Sequence, residues 1–228
     1  MRAIVGKFSP FASSRSQFGK IQSAQGDVSH TMKRLRFLLL PALVVGCALP
    51  AMAQLTRALT ESPEYKVTAK PDGFEVREYP AMAVVSTKMN ARANKQQQDD
   101  RFMRLFRYID KGNERDQKIS MTSPVFMETG GGAGAMSFVI PAEVQKAGAP
   151  KPAADNVYLK TISAGKFAVL RFRGARSGEA EEKAVAKLKQ RMEKAKLAPA
   201  DGDPMFAYYD PPWTPKALRR NEVLIRLK

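Results

Sequence analysis

Apolar and polar positions along the chain mark out strands and two helical stretches. Tyr65-Lys66-Val67-Thr68-Ala69 alternates with period two, Pro71-Asp72-Gly73 supplies a turn, and Phe74 to Tyr79 alternates again. Ala83 to Met89 reads as a third strand. A polar run from Asn94 to Asp100 then enters the stretch Arg101–Ile109, where apolar residues at 102, 105, 106 and 109 have helical spacing and share one stripe flanked by arginines. Gly112-Asn113 ends that helix, because glycine takes the left-handed conformation a helix end requires, and Gln117 to Val125 restarts the chain in extended form. Ile119–Glu128 and Met136–Ile140 follow as strands.

The second half repeats this plan. Val157–Ile162, a turn at Ala164-Gly165, and Phe167–Phe172 read as a strand pair. A helix opened by Ser177 has Glu179, Glu181 and Glu182 at its positive end, Lys194 and Lys196 at its negative end, and apolar residues at 184, 185, 188, 192 and 195. Met205–Tyr209 and Glu222–Leu227 complete the pattern. Strand, strand, helix, strand, strand thus occurs twice, with Ala83-Val84-Val85 matching Ala168-Val169-Leu170 in position. The fold class expected is α+β: a pseudo-duplicated, antiparallel curved sheet or distorted β-barrel flanked by two α-helices. Gly130-Gly131-Gly132-Ala133-Gly134 superficially suggests a phosphate cradle, but it lacks the Gly-Lys-Ser/Thr ending and a following helix, so it reads as a hairpin loop.

Upstream of this domain the composition changes. Residues 1–31 are polar and aperiodic, and read as disordered or as a non-native upstream segment, with Met32 as the true start; an organellar transit peptide is the other reading. Residues 32–53 combine a basic start (Lys33, Arg34, Arg36), an apolar run from Phe37 to Leu49 and the small-x-small site Ala51-Met52-Ala53, the pattern of a signal peptide. Residues 54–64 form a linker and 65–228 the mature domain. The expected location is therefore exported, periplasmic or secreted, and the alternative is a membrane-anchored lipoprotein processed at the sole cysteine, Cys47. Cleavage after Ala53 removes that cysteine and the sole histidine, His30, so no disulfide supports the mature chain.

The full chain carries a net charge of +16; removing residues 1–53 takes away seven basic residues and one acid and leaves +10. This favours anionic partners, including a peripheral contact with an anionic membrane face, or serves solubility alone. No nucleic-acid motif is present, and an exported protein has little occasion to meet nucleic acid. Without histidine or cysteine, the usual zinc sites, imidazole bases and thiolate nucleophiles are excluded. Paired acids such as Asp99-Asp100 and Glu181-Glu182 read as solvated faces, so no catalytic constellation is visible and the chain is not expected to be an enzyme.

Two separated motifs resemble the SOUL haem-binding family: Tyr-Ile-x-x-Gly-Asn at 108–113 followed by Lys-Ile-x-Met-Thr-x-Pro-Val at 118–125, and Tyr209-Asp210-Pro211-Pro212-Trp213-Thr214-Pro215 with Arg219-Arg220-Asn221-Glu222-Val223. The resemblance covers about Tyr65 to Lys228. It implies a distorted barrel flanked by two helices, a monomer, and haem or another porphyrin as ligand, bound between the first helix and the loop before the last strand. Carried over by motif, the helix contributes Phe102, Leu105 and Phe106, and the loop Trp213, Lys216, Arg219 and Arg220. The loop cations suit carboxylates, and its prolines hold it stiff. Histidine ligation, proposed for some members, has no counterpart, leaving Met103, Tyr108 and Met121 as weak candidates for the iron. A second reading of the same residues is structural: the helix stripe as its buried face, Trp213 as a loop plug, and Arg219-Arg220 paired with Glu222 or a carbonyl. The alternative functions are a small-molecule-binding barrel with hydrolase-type activity in the cleft between the halves, and an interaction module at an anionic membrane surface.

Overall fold

The architecture comes from a computed structural model that describes residues 60–88, 95–129 and 134–228, with backbone alone for 95–99. The expected signal peptide, His30, Cys47 and most of the glycine-rich loop lie outside these residues. Nine strands and three helices follow in the order β1 (Lys66–Ala69), β2 (Glu75–Tyr79), β3 (Met82–Lys88), α1 (Lys95–Ile109), β4 (Val125–Glu128), β5 (Ala135–Val139), α2 (Ala142–Lys146), β6 (Val157–Ile162), β7 (Gly165–Phe172), α3 (Gly178–Lys194), β8 (Met205–Tyr208) and β9 (Asn221–Arg226). The α+β class and the curved antiparallel sheet are as the sequence suggests, with α2 as an additional short helix.

All nine strands join one antiparallel, curled half-barrel sheet in the order β1-β2-β7-β9-β8-β4-β5-β3-β6. The duplication is visible in that order, which is symmetric about the β8/β4 junction once β1 is set aside. Each half, however, lends its first strand to the other. β2 pairs with β7, and β6 pairs with β3. The expected strand pair 157–162 with 167–172 is therefore corrected: β6 and β7 meet at a corner and do not form a hairpin. The reason lies in the carbonyls of Ser163 and Ala164, which accept from the Arg226 guanidinium at 2.6 and 3.0 Å instead of closing a turn.

One face of the sheet receives the helices. Leu105, Tyr108 and Ile109 of α1 and Ala184, Leu188 and Met192 of α3 pack there with Phe138, Leu170, Phe206 and Val223. The opposite face gathers Tyr79, Val84, Phe126, Phe167, Val169 and Leu224. Alternation along each strand feeds both layers, as a half-buried period of two requires. In α3 the buried stripe and the acidic start match the sequence pattern, and the Ser177 hydroxyl accepts from the Ala180 amide at 3.3 Å.

The joint after α1 differs in detail from expectation. Lys111, with φ 73°, takes the left-handed position expected of Gly112. Gly112 instead donates its amide to the Arg107 carbonyl at 2.7 Å, and a Cβ there would stand 2.6 Å from that oxygen. Asn113, 3% exposed, donates to the carbonyls of Tyr108 and Gln117 and accepts from the amides of Arg115 and Gln117. The strand expected from Ile119 begins only at Val125. Residues 119–124 are held instead by isolated contacts, with the Thr122 hydroxyl on the Val139 carbonyl and the Ser123 amide on the Glu61 carbonyl. Pro124 has no amide to offer a ladder. The last residues of the expected linker are thereby tied to the domain.

Candidate functional site

Helix α1 presents two unlike faces. Its buried stripe runs through Arg101, Leu105, Tyr108 and Ile109, one step round from the expected stripe of 102, 105, 106 and 109. Phe102, Met103 and Phe106 consequently emerge, at 37%, 42% and 39% exposure, and form three of the five exposed large hydrophobics among the described residues. The rings of Phe102 and Phe106 lie nearly parallel, 6.3 Å apart, and Phe102 rests edge-on against Phe138 beneath it. Of the three expected contact residues on the helix, two thus form an open aromatic step. Leu105, wholly buried, belongs to the core.

Arg101 is the residue whose position the periodicity did not anticipate as functional. It is 4% exposed, and its Nε is the one buried side-chain nitrogen or oxygen without a hydrogen-bond partner among the described residues. Burial, followed by the charges of Arg176 and Arg104, lowers its pKa. Arg104 of α1 and Arg176 of the segment before α3 thus each stand close enough to repel Arg101. Arg176 pairs with Glu181 at 3.4 Å and lies over the Tyr208 ring, whose hydroxyl donates to the same carboxylate. Burial and Glu181 together raise the Tyr208 pKa. Beside Tyr208 in the sheet stands Val125, also half-buried. The cluster combines excess positive charge with an apolar floor, which suits an amphiphilic anion.

The loop from Tyr209 to Arg220 has a different character from the one expected. Arg219 donates from Nε to the Thr214 carbonyl at 2.8 Å and from Nη2 to the Pro212 carbonyl, so it fastens its own loop. Arg220 donates to Glu222 at 2.8 Å and stacks over Tyr209. Both arginines therefore make the contacts of the second reading, Arg219 to carbonyls of its own loop and Arg220 to Glu222. Lys216 is exposed, and Trp213, 82% exposed, makes no ring contact among the described residues.

The iron-ligand candidates separate by burial. Tyr108 is 1% exposed, and its hydroxyl donates to the Pro150 carbonyl at 2.9 Å. Burial pushes its pKa up to about 12. To meet an iron it would have to leave the core, which removes it as a candidate. Met121 packs against the core. Met103 alone of the three offers an open side chain.

A second polar cluster lies on the opposite face of the sheet. Glu222, fully buried, receives Arg77 at 2.7 and 3.1 Å, Arg220, and the Tyr209 hydroxyl at 2.9 Å. Burial by itself would raise the Glu222 pKa, but hydrogen bonding and charge from Arg77, then Arg220, outweigh it and hold the group at about 2. Such a carboxylate stays ionised and occupied, which fits a structural pin and not an acid or base. A 350 Å³ cleft near this cluster is lined by Lys70, Phe74, Arg77 and Arg171, and a 250 Å³ one elsewhere by Glu128, Lys160, Phe167, Asp203 and Met205. Neither includes residues of α1 or of the loop 211–220.

Comparisons with known proteins agree with this architecture. The family model described as SOUL heme-binding protein matches residues 60–226. A search of curated proteins found no match. Among solved structures, the chain resembles the EcmrR C-terminal domain with a TM-score of 0.53 and 12% identity, covering 72% of this chain and 98% of that one. It also resembles an uncharacterized conserved protein from Listeria innocua, with a TM-score of 0.51 and 14% identity over 70% and 94% of the two chains. EcmrR in its DNA complex gives a TM-score of 0.51 and 13% identity over 90% and 74%. At these identities the likeness is one of fold alone.

Proposed function

Because the chain belongs to the SOUL haem-binding protein family, we propose that it is an exported binding protein for haem or a related tetrapyrrole, taken up on the exposed face of α1. The observation that carries this reading is the orphaned Nε of buried Arg101 beside the open step of Phe102 and Phe106. A buried N–H without an acceptor is costly, and a ligand carboxylate is the group that would offset the cost. The apolar macrocycle lies against the two phenylalanines, and Arg101, Arg104 and Arg176 meet its carboxylates. An iron-bearing ligand finds the Met103 thioether on the same exposed face. Histidine plays no part in 54–228, since the sole histidine is His30. The α1 site keeps the helix half of the surface that the family resemblance implies.

Titration of the protein with haem and with metal-free porphyrin tests the reading. Binding of both with equal affinity supports a site that holds the ligand without relying on the metal, and binding of neither overturns the proposal. Export is tested separately: mass spectrometry of the secreted or periplasmic protein is expected to find a chain beginning at Gln54, and a lipid-modified Cys47 would place the protein on a membrane instead.

A further inference from the structure

The loop between β8 and β9 is built to hold one indole in solvent. Pro211, Pro212 and Pro215 restrict its backbone, the Thr214 amide closes a turn on the Pro211 carbonyl at 3.0 Å, and Thr214 itself is buried at 5% exposure. Arg219 clamps the turn from behind through the carbonyls of Pro212 and Thr214. Trp213 is left 82% exposed on a loop with little conformational entropy to lose.

The surroundings decide what covers it. From Pro211 to Asn221 there is no acidic residue. Of the flanking acids, Asp210 accepts the Arg220 amide and Glu222 is fully buried. Lys216 is exposed on the loop, and Arg173, also exposed, reaches over to the Ala217 carbonyl at 3.4 Å. A stable protein partner needs about 800 Å² of complementary surface on each side, whereas the loop that carries Trp213 adds prolines, cations and, as further apolar side chains, only Ala217 and Leu218. A lipid headgroup region asks for less: an amphipathic ring that sits at the interface, and basic residues to meet anionic lipid. We propose that the Trp213 loop docks on an anionic lipid surface, with the indole at the level of the headgroups and Lys216 and Arg173 against their phosphates. This docking does not rest on the ligand site on α1.

Trp213 is the sole tryptophan of the chain, so its emission reports on this loop alone. The ligand-free full-length protein is mixed with phosphatidylglycerol-containing vesicles and with pure phosphatidylcholine vesicles. A blue shift on the anionic vesicles only, quenched by brominated acyl chains and reduced by salt, is the expected result. Lys216→Ala is expected to weaken partitioning about fivefold, in line with the contribution of one basic residue near such a surface. Co-sedimentation with unshifted emission would mean that the apolar run 37–49 carries the binding, and would overturn the proposal. So would equal shifts on both vesicle types. Circular dichroism of Lys216→Ala checks that the fold is retained.

Discussion

Arg77 and Glu222 stand 145 positions apart in sequence and meet as a two-pronged pair at 2.7 and 3.1 Å, with 2% and no exposure respectively. β2 and β9 are not neighbours in the sheet; β7 lies between them. The pair therefore spans a strand and fastens the exchanged strand β2 to the last strand of the other half.

Glu222→Gln is expected to cost about 3 kcal/mol, because it leaves the partly exposed Glu75 as the remaining carboxylate on buried Arg77. Replacing Arg77 and Glu222 together by methionine is expected to cost less than the two single changes added. Urea unfolding of the four proteins in a double-mutant cycle measures the coupling, and strict additivity would show that the pair is not a unit.

The same carboxylate gives an acid limb. Its folded pKa of about 2 lies below its ordinary value of 4.5, so its stabilisation is complete above about pH 4.5 and is lost as pH falls towards 2. The loss is on the order of 3 kcal/mol. Other carboxylates titrate in this window too, so the check is the difference between wild type and Glu222→Gln, whose gap in melting temperature is expected to narrow as pH drops from 5 to 2.

Arg101→Met is expected to leave stability unchanged or raised, since it removes a buried N–H without an acceptor and a charge opposed by Arg176 and Arg104, while weakening porphyrin binding about tenfold. The porphyrin dimethyl ester, which lacks the carboxylates, is expected to bind wild type and mutant alike. An equal loss for acid and ester would show that Arg101 acts through packing.

Phe106→Ala and Leu105→Ala separate surface from core on the same helix. Phe106, 39% exposed, is expected to lose ligand affinity with little loss of stability. Leu105, fully buried, is expected to lose about 2 to 5 kcal/mol of stability and to bind normally in the folded fraction. Calorimetric melting read beside haem titration distinguishes the two outcomes.

For ligation, Tyr108→Phe is expected to leave the haem spectrum unchanged and to cost about 1 to 3 kcal/mol, through the orphaned Pro150 carbonyl. Met103→Leu is the variant expected to move the Soret band. A spectral change in the tyrosine variant at full folding would reverse the assignment.

Much of the fold was legible because its signals are local. The period of two in β2 and β7 and the apolar spacing with opposed end charges in α3 each depend on residues within a turn or two, so the elements appear where their side chains dictate. The α1 stripe was read one step off. Its apolar residues continue past the buried face, and Arg101 occupies a buried position that hydrophobicity would assign to an apolar residue. The partners of Asn113 and the pairing of Glu222 with Arg77 carried no sign in sequence, since they come from chain reversal and from strand exchange.

By itself the sequence determined the α+β class, the repeated half, the ends of α3, and a domain without histidine from residue 54 onward, because composition and periodicity are properties of neighbouring residues. Only the tertiary structure decided that the halves exchange their first strands, that Arg219 and Arg220 hold loop and core, and that the Nε of Arg101 lies buried without a partner near Arg176. Those outcomes turn on which surfaces meet when the sheet curls, and contacts between residues far apart in the chain leave no periodic trace in it.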